Sequence, residues 1–186
     1  LMTEGTGEYG GGAAETATGL PLSIRETPQS VSVVSEQRIK DQGLSTVMEV
    51  LSYSTGVISN NFETDRDDTY ARGFWVANYL VDGIKVPTYE GWYSGVSVQS
   101  STATFDHVEI LRGSAGLLTG TGEPGAAVSI TRKRADSDVA GGSVELRYGS
   151  WNRIGGTLDV ASPLTGDGRV RGRFIMDVAS EESFVD

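Results

Sequence analysis

Cysteine is absent from the sequence and histidine occurs once. Without thiolates the chain has no disulfide, no zinc site built on cysteine and no thiol nucleophile. The single imidazole, His107, cannot build a histidine-based metal site. It stands at the start of an apolar stretch, where we expect a packing or edge role rather than a catalytic one.

Positive charge is also scarce. The 15 Lys and Arg residues face 25 Asp and Glu residues, which gives a formal net charge of -10. An acidic chain lacks the basic face that a phosphate backbone requires. We therefore expect no nucleic-acid partner.

Long apolar runs are missing as well. No stretch approaches the roughly 18 apolar residues of a membrane-spanning helix. The first residues, LMTE, carry neither the basic nor the apolar region of a targeting signal, so we expect any such signal to be removed or to lie upstream of residue 1. A membrane barrel stays possible, because its alternating strands leave only a weak hydropathy signal. The 25 Gly and 5 Pro residues favour a β-rich architecture.

The composition divides the chain into three parts. Residues 1–19 are dense in Gly, Thr and Ala, which predicts a flexible lead-in. Residues 20–135 form an α+β domain with a small mixed sheet, in which helices are predicted over 35–42 and 45–53. The strands predicted for this domain cover residues 30–34, 57–59, 69–74, 78–81, 107–112 and 126–133.

The last part, residues 136–186, changes to strands of about ten residues that alternate in polarity, which is typical of a transmembrane barrel. Strands are predicted over 142–149, 154–160 and 169–178. A soluble antiparallel sheet with one wet face fits this alternation equally well. Three strands cannot close a barrel, so we expect the chain to be a fragment with exposed sheet edges.

Two motifs favour ordinary turns and loops over ligand sites. Residues 120–125 match G-x-G-x-x-G, but the strand predicted at 126–133 replaces the helix that a dinucleotide site needs. The acidic loop of Glu63, Asp65, Asp67 and Asp68 lacks the spacing of a calcium loop and is interrupted by Arg66.

Six short motifs, in this order, resemble one family, the TonB-dependent ferric-siderophore receptors of the Gram-negative outer membrane. They are RETPQSVSVV at 25–34, YARGF at 70–74, YLVDG at 79–83, VEILRG at 108–113, GLLTGTG at 116–122 and TRK at 131–133. The resemblance implies that residues 20–135 are a plug domain. It implies that residues 136–186 are the first antiparallel strands of a barrel of about 22 strands.

Such a protein is a receptor and active transporter rather than an enzyme. The resemblance implies that it binds a ferric siderophore, that TonB acts on a segment upstream of residue 1, and that outer-membrane lipid surrounds the barrel. Iron arrives with its chelator, so no cofactor or metal ligand is expected. The alternatives are a secreted β-rich ligand-binding or adhesin module, a nucleotide-dependent enzyme, and a haem or cobalamin receptor of the same superfamily.

Within the family the chain most resembles receptors for ferric pyoverdine and other hydroxamate-containing siderophores, because TDR at 64–66 closely precedes the YARGF strand. This resemblance implies a ligand site on the plug's apical loops, with Phe62 standing where a tyrosine is usual. The implied contacts are Arg66, Phe62, Tyr89, Trp92 and Tyr93. It also implies ion pairs between plug and barrel that involve Arg72, Arg112 and Glu109.

Overall fold

The structure is a computed structural model that describes residues 14, 22–63, 66–86, 101–114 and 123–182, with the backbone alone for 61–63, 66 and 67. It divides the chain into two compact units, Leu1–Arg132 and Lys133–Asp186. This division lies just before the boundary predicted after residue 135. No helix among the described residues is long and apolar enough to cross a membrane.

The described residues of the first unit form eight strands and two short helices. In chain order they are β1 (Ser30–Ser35), α1 (Glu36–Asp41), α2 (Val47–Ser52), β2 (Val57–Glu63), β3 (Arg66–Ala71), β4 (Phe74–Trp75), β5 (Asn78–Val81), β6 (Ile84–Val86), β7 (Phe105–Arg112) and β8 (Ala126–Arg132). A single 3-10 turn, Thr102–Thr104, precedes β7.

These strands form two sheets. The larger has the order β1-β7-β8-β5-β6, and only its β5–β8 pair is parallel. The smaller has the order β2-β3-β4 and is antiparallel. The prediction of an α+β domain with a small mixed sheet is confirmed.

The two helices begin later than predicted because the residues before them are caps. The Ser35 side chain accepts a hydrogen bond from the Arg38 amide at 3.3 Å, and Thr46 forms a capping box with Glu49. Such side chains satisfy amides that have no partner within the helix. Ser35 and Ser45 therefore lie outside the helices that were predicted to start at them.

One predicted strand is wrong in its extent. Residues 69–74 are interrupted by a turn in which Arg72 and Gly73 both have positive φ, 54° and 82°. Two successive left-handed residues make the tight type I′ turn of a hairpin. β3 therefore ends at Ala71, and β4 begins at Phe74 and pairs back to it.

The core of the first unit lies on one face of the larger sheet. Val47, Val50 and Leu51 of α2 are fully buried and belong to one cluster with the sheet residues Val34, Val108, Ile110, Val128 and Ile130. A smaller cluster joins Val31, Val33, Leu80, Leu111 and Ala127, on the opposite face, with Ala14. Ala14 belongs to the segment predicted as a flexible lead-in, yet it is fully buried and its amide donates to Leu22 O at 2.8 Å.

Gly125 lies where two backbone segments approach each other closely. A Cβ on Gly125 would lie 2.8 Å from the Phe74 carbonyl oxygen and 3.1 Å from that of Ala71. The segment is fixed there because the Asn78 side chain donates to Glu123 O at 3.1 Å. Residues 115–122 lie outside the described residues, and they include the first three positions of the G-x-G-x-x-G motif at 120–125. After this motif the chain forms β8, which is the strand predicted over 126–133.

We expect Gly125→Ala to destabilise the plug by about 1 to 3 kcal/mol, because rigid carbonyl groups occupy the space of the added methyl. Urea unfolding of the purified protein measures this. Gly141→Ala is the matched control, since nothing lies within 4 Å of a Cβ there. Equal midpoints for the two variants would contradict the close approach.

The second unit is an antiparallel sheet of three strands, β9 (Gly141–Tyr148), β10 (Ile154–Pro163) and β11 (Arg171–Ser180), with β10 in the middle. Its apolar face is the exposed one: Leu146 is 84% and Tyr148 is 83% exposed. The other face carries charged side chains, including Arg147, Asp159 and Arg173, in ion pairs. A soluble sheet with one wet face would instead bury its apolar side against a core. The exposure of the apolar face therefore supports the prediction of barrel strands.

Candidate functional site

The predicted ligand residues Phe62 and Arg66 lie at the tip of one hairpin. β2 and β3 pair up to Glu63↔Arg66, and their register shifts between Asn61 and Glu63. Phe62 is thus the extra residue of a bulge, a feature that re-aims side chains next to binding sites. The side chains of Phe62 and Arg66 lie outside the described part of the structure, so their contact with a ligand stays a prediction.

Tyr89, Trp92 and Tyr93 lie between 87 and 100, outside the described residues. The structure shows where this segment begins and ends. It leaves the edge strand β6 and returns at Ser101, which forms a bridge with Thr46. The Thr102 hydroxyl donates to Leu44 O at 2.6 Å. The return of the segment is therefore fixed beside the start of α2.

Arg112, at the end of β7, is held by neutral acceptors. Its Nε donates to Thr55 O at 2.6 Å, and its Nη2 and Nη1 donate to the hydroxyls of Ser32 and Ser30 at 2.8 and 3.3 Å. Burial lowers the pKa of Arg112, and the neighbouring charge of Arg72 lowers it further. The guanidinium is therefore fixed in position beside a second cation.

Arg72 occupies a conformation that is unusual for its side chain. It takes the first central position of the β3–β4 turn, with a φ of 54°, where Gly and Asn are favoured. Its Nη1 lies 3.1 Å from where a Cβ on Gly113 would be. Among the residues whose side chains are described, no carboxylate forms an ion pair with Arg72 or Arg112. The strained turn and Gly113 thus bring two arginines together.

Glu109 lies in a buried charged cluster on β7. It is 2% exposed and His107 is 8% exposed, and their Oε1 and Nε2 are 3.4 Å apart. The other ring nitrogen, Nδ1, lies 2.5 Å from Asp106 Oδ2. Burial lowers the pKa of His107, but the hydrogen bonds and charges of Asp106 and Glu109 outweigh it and raise the pKa to about 9.

His107 is therefore buried, as a packing role predicts, but it is also a protonated partner of two carboxylates at neutral pH. Sequence reasoning did not find this cluster. The available signal was the spacing of His107 and Glu109, because residues two apart on a strand share a face. A place for Glu109 in a pair with the barrel is untested and stays a prediction.

We expect His107 to stabilise the plug in a pH-dependent way. Its folded-state pKa, about 9, exceeds the unfolded value of about 6.5, so the contribution is complete below pH 6.5 and disappears as the pH rises through 9. The maximum is about 3 kcal/mol. Unfolding of wild type and His107→Gln should differ most near pH 6 and least near pH 10. A difference that does not change with pH would exclude the charged cluster.

No group of three His, Asp or Glu side chains in the described ranges is arranged to hold a metal ion. Of the acidic loop, the side chains of Glu63, Asp65 and Asp67 are not described. Asp68 accepts a hydrogen bond from the Tyr70 hydroxyl at 3.3 Å, and its charge raises the pKa of Tyr70. This contact is local to β3 and gives no indication of a cation site.

Comparison with known proteins matches both units to one class of receptor. Residues 23–127 match the model of the TonB-dependent Receptor Plug Domain. The ferripyoverdine receptor of Pseudomonas aeruginosa is 41% identical over 185 residues, which is 100% of this chain and 23% of the relative. The ferrioxamine B receptor of Salmonella typhimurium is 35% identical over 162 residues, 84% of this chain and 23% of the relative.

A crystal structure of the outer-membrane ferripyoverdine receptor of P. aeruginosa, bound to ferripyoverdine, superposes with a TM-score of 0.89 at 40% identity. It covers 100% of this chain, which in turn covers 24% of the solved chain. The chain thus spans about a quarter of the length of these receptors. The matched family model covers more than half of it, and the chain belongs to the TonB-dependent receptor plug domain family.

Proposed function

We propose that the chain is the plug and the first barrel strands of an outer-membrane receptor that binds a ferric siderophore and imports it with energy from TonB. The observation that carries this proposal is the nature of the two units. A unit that matches the plug family is followed along the chain by an antiparallel sheet whose apolar face is exposed. A plug needs a surrounding barrel, and that exposed face suits lipid.

The ligand class is proposed from the relatives. The two named above are receptors for ferripyoverdine and for ferrioxamine B, and the first aligns along the whole of this chain. A hydroxamate-containing ferric siderophore is therefore the proposed ligand. The chelator already surrounds the iron, so the receptor needs to recognise the complex and not the bare ion. This role is transport and requires no catalytic group.

The plug's share of the ligand site is proposed at the β2–β3 tip and in the segment after β6. An iron chelate with flat, amide-rich surfaces suits the aromatic rings of Phe62, Tyr89, Trp92 and Tyr93. The guanidinium of Arg66 would supply charge and several donors at fixed angles. The bulge at Phe62 supports this assignment, because it distorts the hairpin next to Arg66.

We expect Arg66→Ala to reduce the affinity for a ferric hydroxamate siderophore about tenfold or more, because desolvated charge-assisted bonds contribute about 1.5 to 3 kcal/mol. Trp92→Ala should also weaken binding. The measurement is a tryptophan-fluorescence titration of the full-length receptor, which compares the dissociation constant of Arg66→Ala, and then that of Trp92→Ala, with the wild-type value. Arg169→Ala is the control, since Arg169 is 86% exposed in the β10–β11 turn and pairs with Asp167. Unchanged dissociation constants for both ligand variants, across several hydroxamate siderophores, would refute the site.

The alternatives lack support of their own. The plug-family match overturns a secreted β-rich ligand-binding or adhesin module. The strand β8 after residues 120–125 removes the basis for a nucleotide-dependent enzyme. A haem or cobalamin receptor has no specific observation in its favour. His107 is the one histidine of the sequence, and it is buried between Asp106 and Glu109.

We further propose that Arg72 and Arg112 pair with carboxylates on the barrel wall, and we call these two residues the latch. Arg112 contacts neutral acceptors and lies beside Arg72, and neither has a carboxylate partner among the described side chains, so carboxylates on the barrel wall would supply the compensating charge. Glu109 belongs to the same proposal, although it also lies near His107. The latch would loosen when TonB pulls on a segment upstream of residue 1.

A further inference from the structure

The chain that leaves the plug is attached to the polar face of the second unit by a buried ion cluster. Lys133, the residue directly after β8, places its Nζ 3.1 Å from Asp159 Oδ2. Arg173 approaches the same carboxylate with two nitrogens, Nε to Oδ1 and Nη2 to Oδ2, both at 2.8 Å. The three side chains are only 4%, 8% and 17% exposed. One buried carboxylate thus joins the exit segment to β11.

Two arginines of β11 extend this attachment along the backbone. Arg173 Nη1 donates to Arg134 O at 3.1 Å, and Arg171 Nη1 donates to Asp136 O at 2.9 Å. Arg171 also forms an ion pair with Asp138. Residues 171 and 173 share a face of β11 because they are two apart. Their guanidiniums therefore bind alternate carbonyls of the exit segment, much as a neighbouring strand would.

The cluster differs in kind from the latch. Arg72 and Arg112 have no carboxylate partner among the described side chains, whereas Lys133 and Arg173 share one that is almost fully buried. Removing one partner of a buried ion pair is strongly destabilising, since it leaves uncompensated charge. Asp159 faces two cations, so its loss would leave both. Because separating these side chains is costly, we expect Lys133, Asp159 and Arg173 to stay in contact.

Lys133 directly follows the central strand of the plug's larger sheet. β8 ends at Arg132, one residue earlier, and lies between β7 and β5 in the larger sheet. The Asp82 carboxylate reinforces this end of β8, because it accepts from the Arg132 backbone amide at 2.9 Å and from its Nε at 2.7 Å. β1, in contrast, is an edge strand among those described in this sheet, and it pairs with β7.

We infer that Lys133, Asp159, Arg171 and Arg173, here called the anchor, stay closed throughout transport and tether the plug's exit to the barrel wall. Movements that open a path are then confined to plug segments upstream of β8. The inference rests on the proposed transport function, but its first test does not depend on transport.

The first test is hydrogen exchange of the full-length receptor in detergent. Asp159→Asn should accelerate exchange of amides 133–140 about tenfold or more relative to wild type. Glu145→Gln is the matched control, since Glu145 lies on the same polar face but pairs with Arg147, at 3.5 Å. Exchange in residues 133–140 that is equal in wild type and Asp159→Asn would overturn the anchor, whether or not the receptor transports anything.

The second test asks whether the anchor must open. Lys133→Cys combined with Asp159→Cys removes the ion pair, and a short bifunctional thiol reagent replaces it with a covalent bridge; residues 1–186 contain no other cysteine. We expect uptake of a ferric siderophore to be impaired in the unbridged variant and restored to within about twofold of wild type by bridging. Uptake that is abolished by the bridge, with siderophore binding intact, would show that the anchor opens. A wild type without uptake would refute the proposed function and leave the exchange result standing.

Discussion

A full-length receptor that carries Val144→Arg is expected to accumulate poorly in the outer membrane, whereas Ser143→Arg, one residue away, should accumulate like wild type. Val144 is 72% exposed on the apolar face and lies near the middle of β9, opposite Leu158. Ser143 lies on the polar face, opposite Asp159. An arginine on the lipid face costs about 2 to 4 kcal/mol near the bilayer midplane.

The two variants distinguish an apolar face that meets lipid from one that meets water. If the apolar face met water, an added arginine at Val144 would change stability by about 0.5 kcal/mol or less, as at Ser143. Cell fractionation and heat-modifiable gel migration report insertion and folding of the barrel. Normal accumulation of Val144→Arg would show that the exposed apolar face does not meet lipid.

Arg112→Ala is expected to leave siderophore affinity within about twofold of wild type and to reduce uptake about tenfold or more, if the latch is correct. The binding site is proposed at the β2–β3 tip and after β6, whereas Arg112 contacts Thr55, Ser30 and Ser32. Its removal would leave a barrel carboxylate without its cation and weaken the seating of the plug. Arg72→Ala should act in the same direction.

The matched control is Arg38→Ala. Arg38 is also a plug arginine with neutral acceptors, Gln42 Oε1 at 3.2 Å and Tyr53 O at 3.4 Å, but it has no place in the latch. Binding is measured by fluorescence titration, uptake with radiolabelled iron, and plug seating by the permeability of cells to a large antibiotic. Lost binding in Arg112→Ala with the plug still seated would contradict the latch.

Most strands could be predicted from the sequence because their apolar residues alternate over several positions. β5 was located at its observed bounds, β9 and β11 within two residues, and β10 within three. The β5–β6 hairpin shows the limit, since β6 has three residues and was not predicted. Its signal was the turn, in which Asp82 and Gly83 have φ of 50° and 79°. An Asp-Gly pair is a strong hairpin indicator.

Contacts between distant segments could not be predicted in this way. Ala14 is buried because its small side chain fits against a cluster that lies on several strands, and composition shows only a flexible segment. Asp159 meets Lys133 and Arg173 because β10 and β11 pair in one particular register. Periodicity gives the face of each residue, but the partner across a sheet depends on tertiary structure. The family resemblance implies plug–barrel ion pairs for Arg72, Arg112 and Glu109, and these stay a prediction. The acceptors that fix Arg112 were visible only in the structure.

The most direct test of the central claim is uptake of radiolabelled iron by cells that carry the full-length receptor. Iron supplied as a ferric hydroxamate siderophore should accumulate only in cells with the receptor and with a functional TonB complex. Bare ferric ion and haem should give no receptor-dependent accumulation. Siderophore-iron uptake that is the same with and without the receptor, or receptor-dependent uptake of haem alone, would contradict the account.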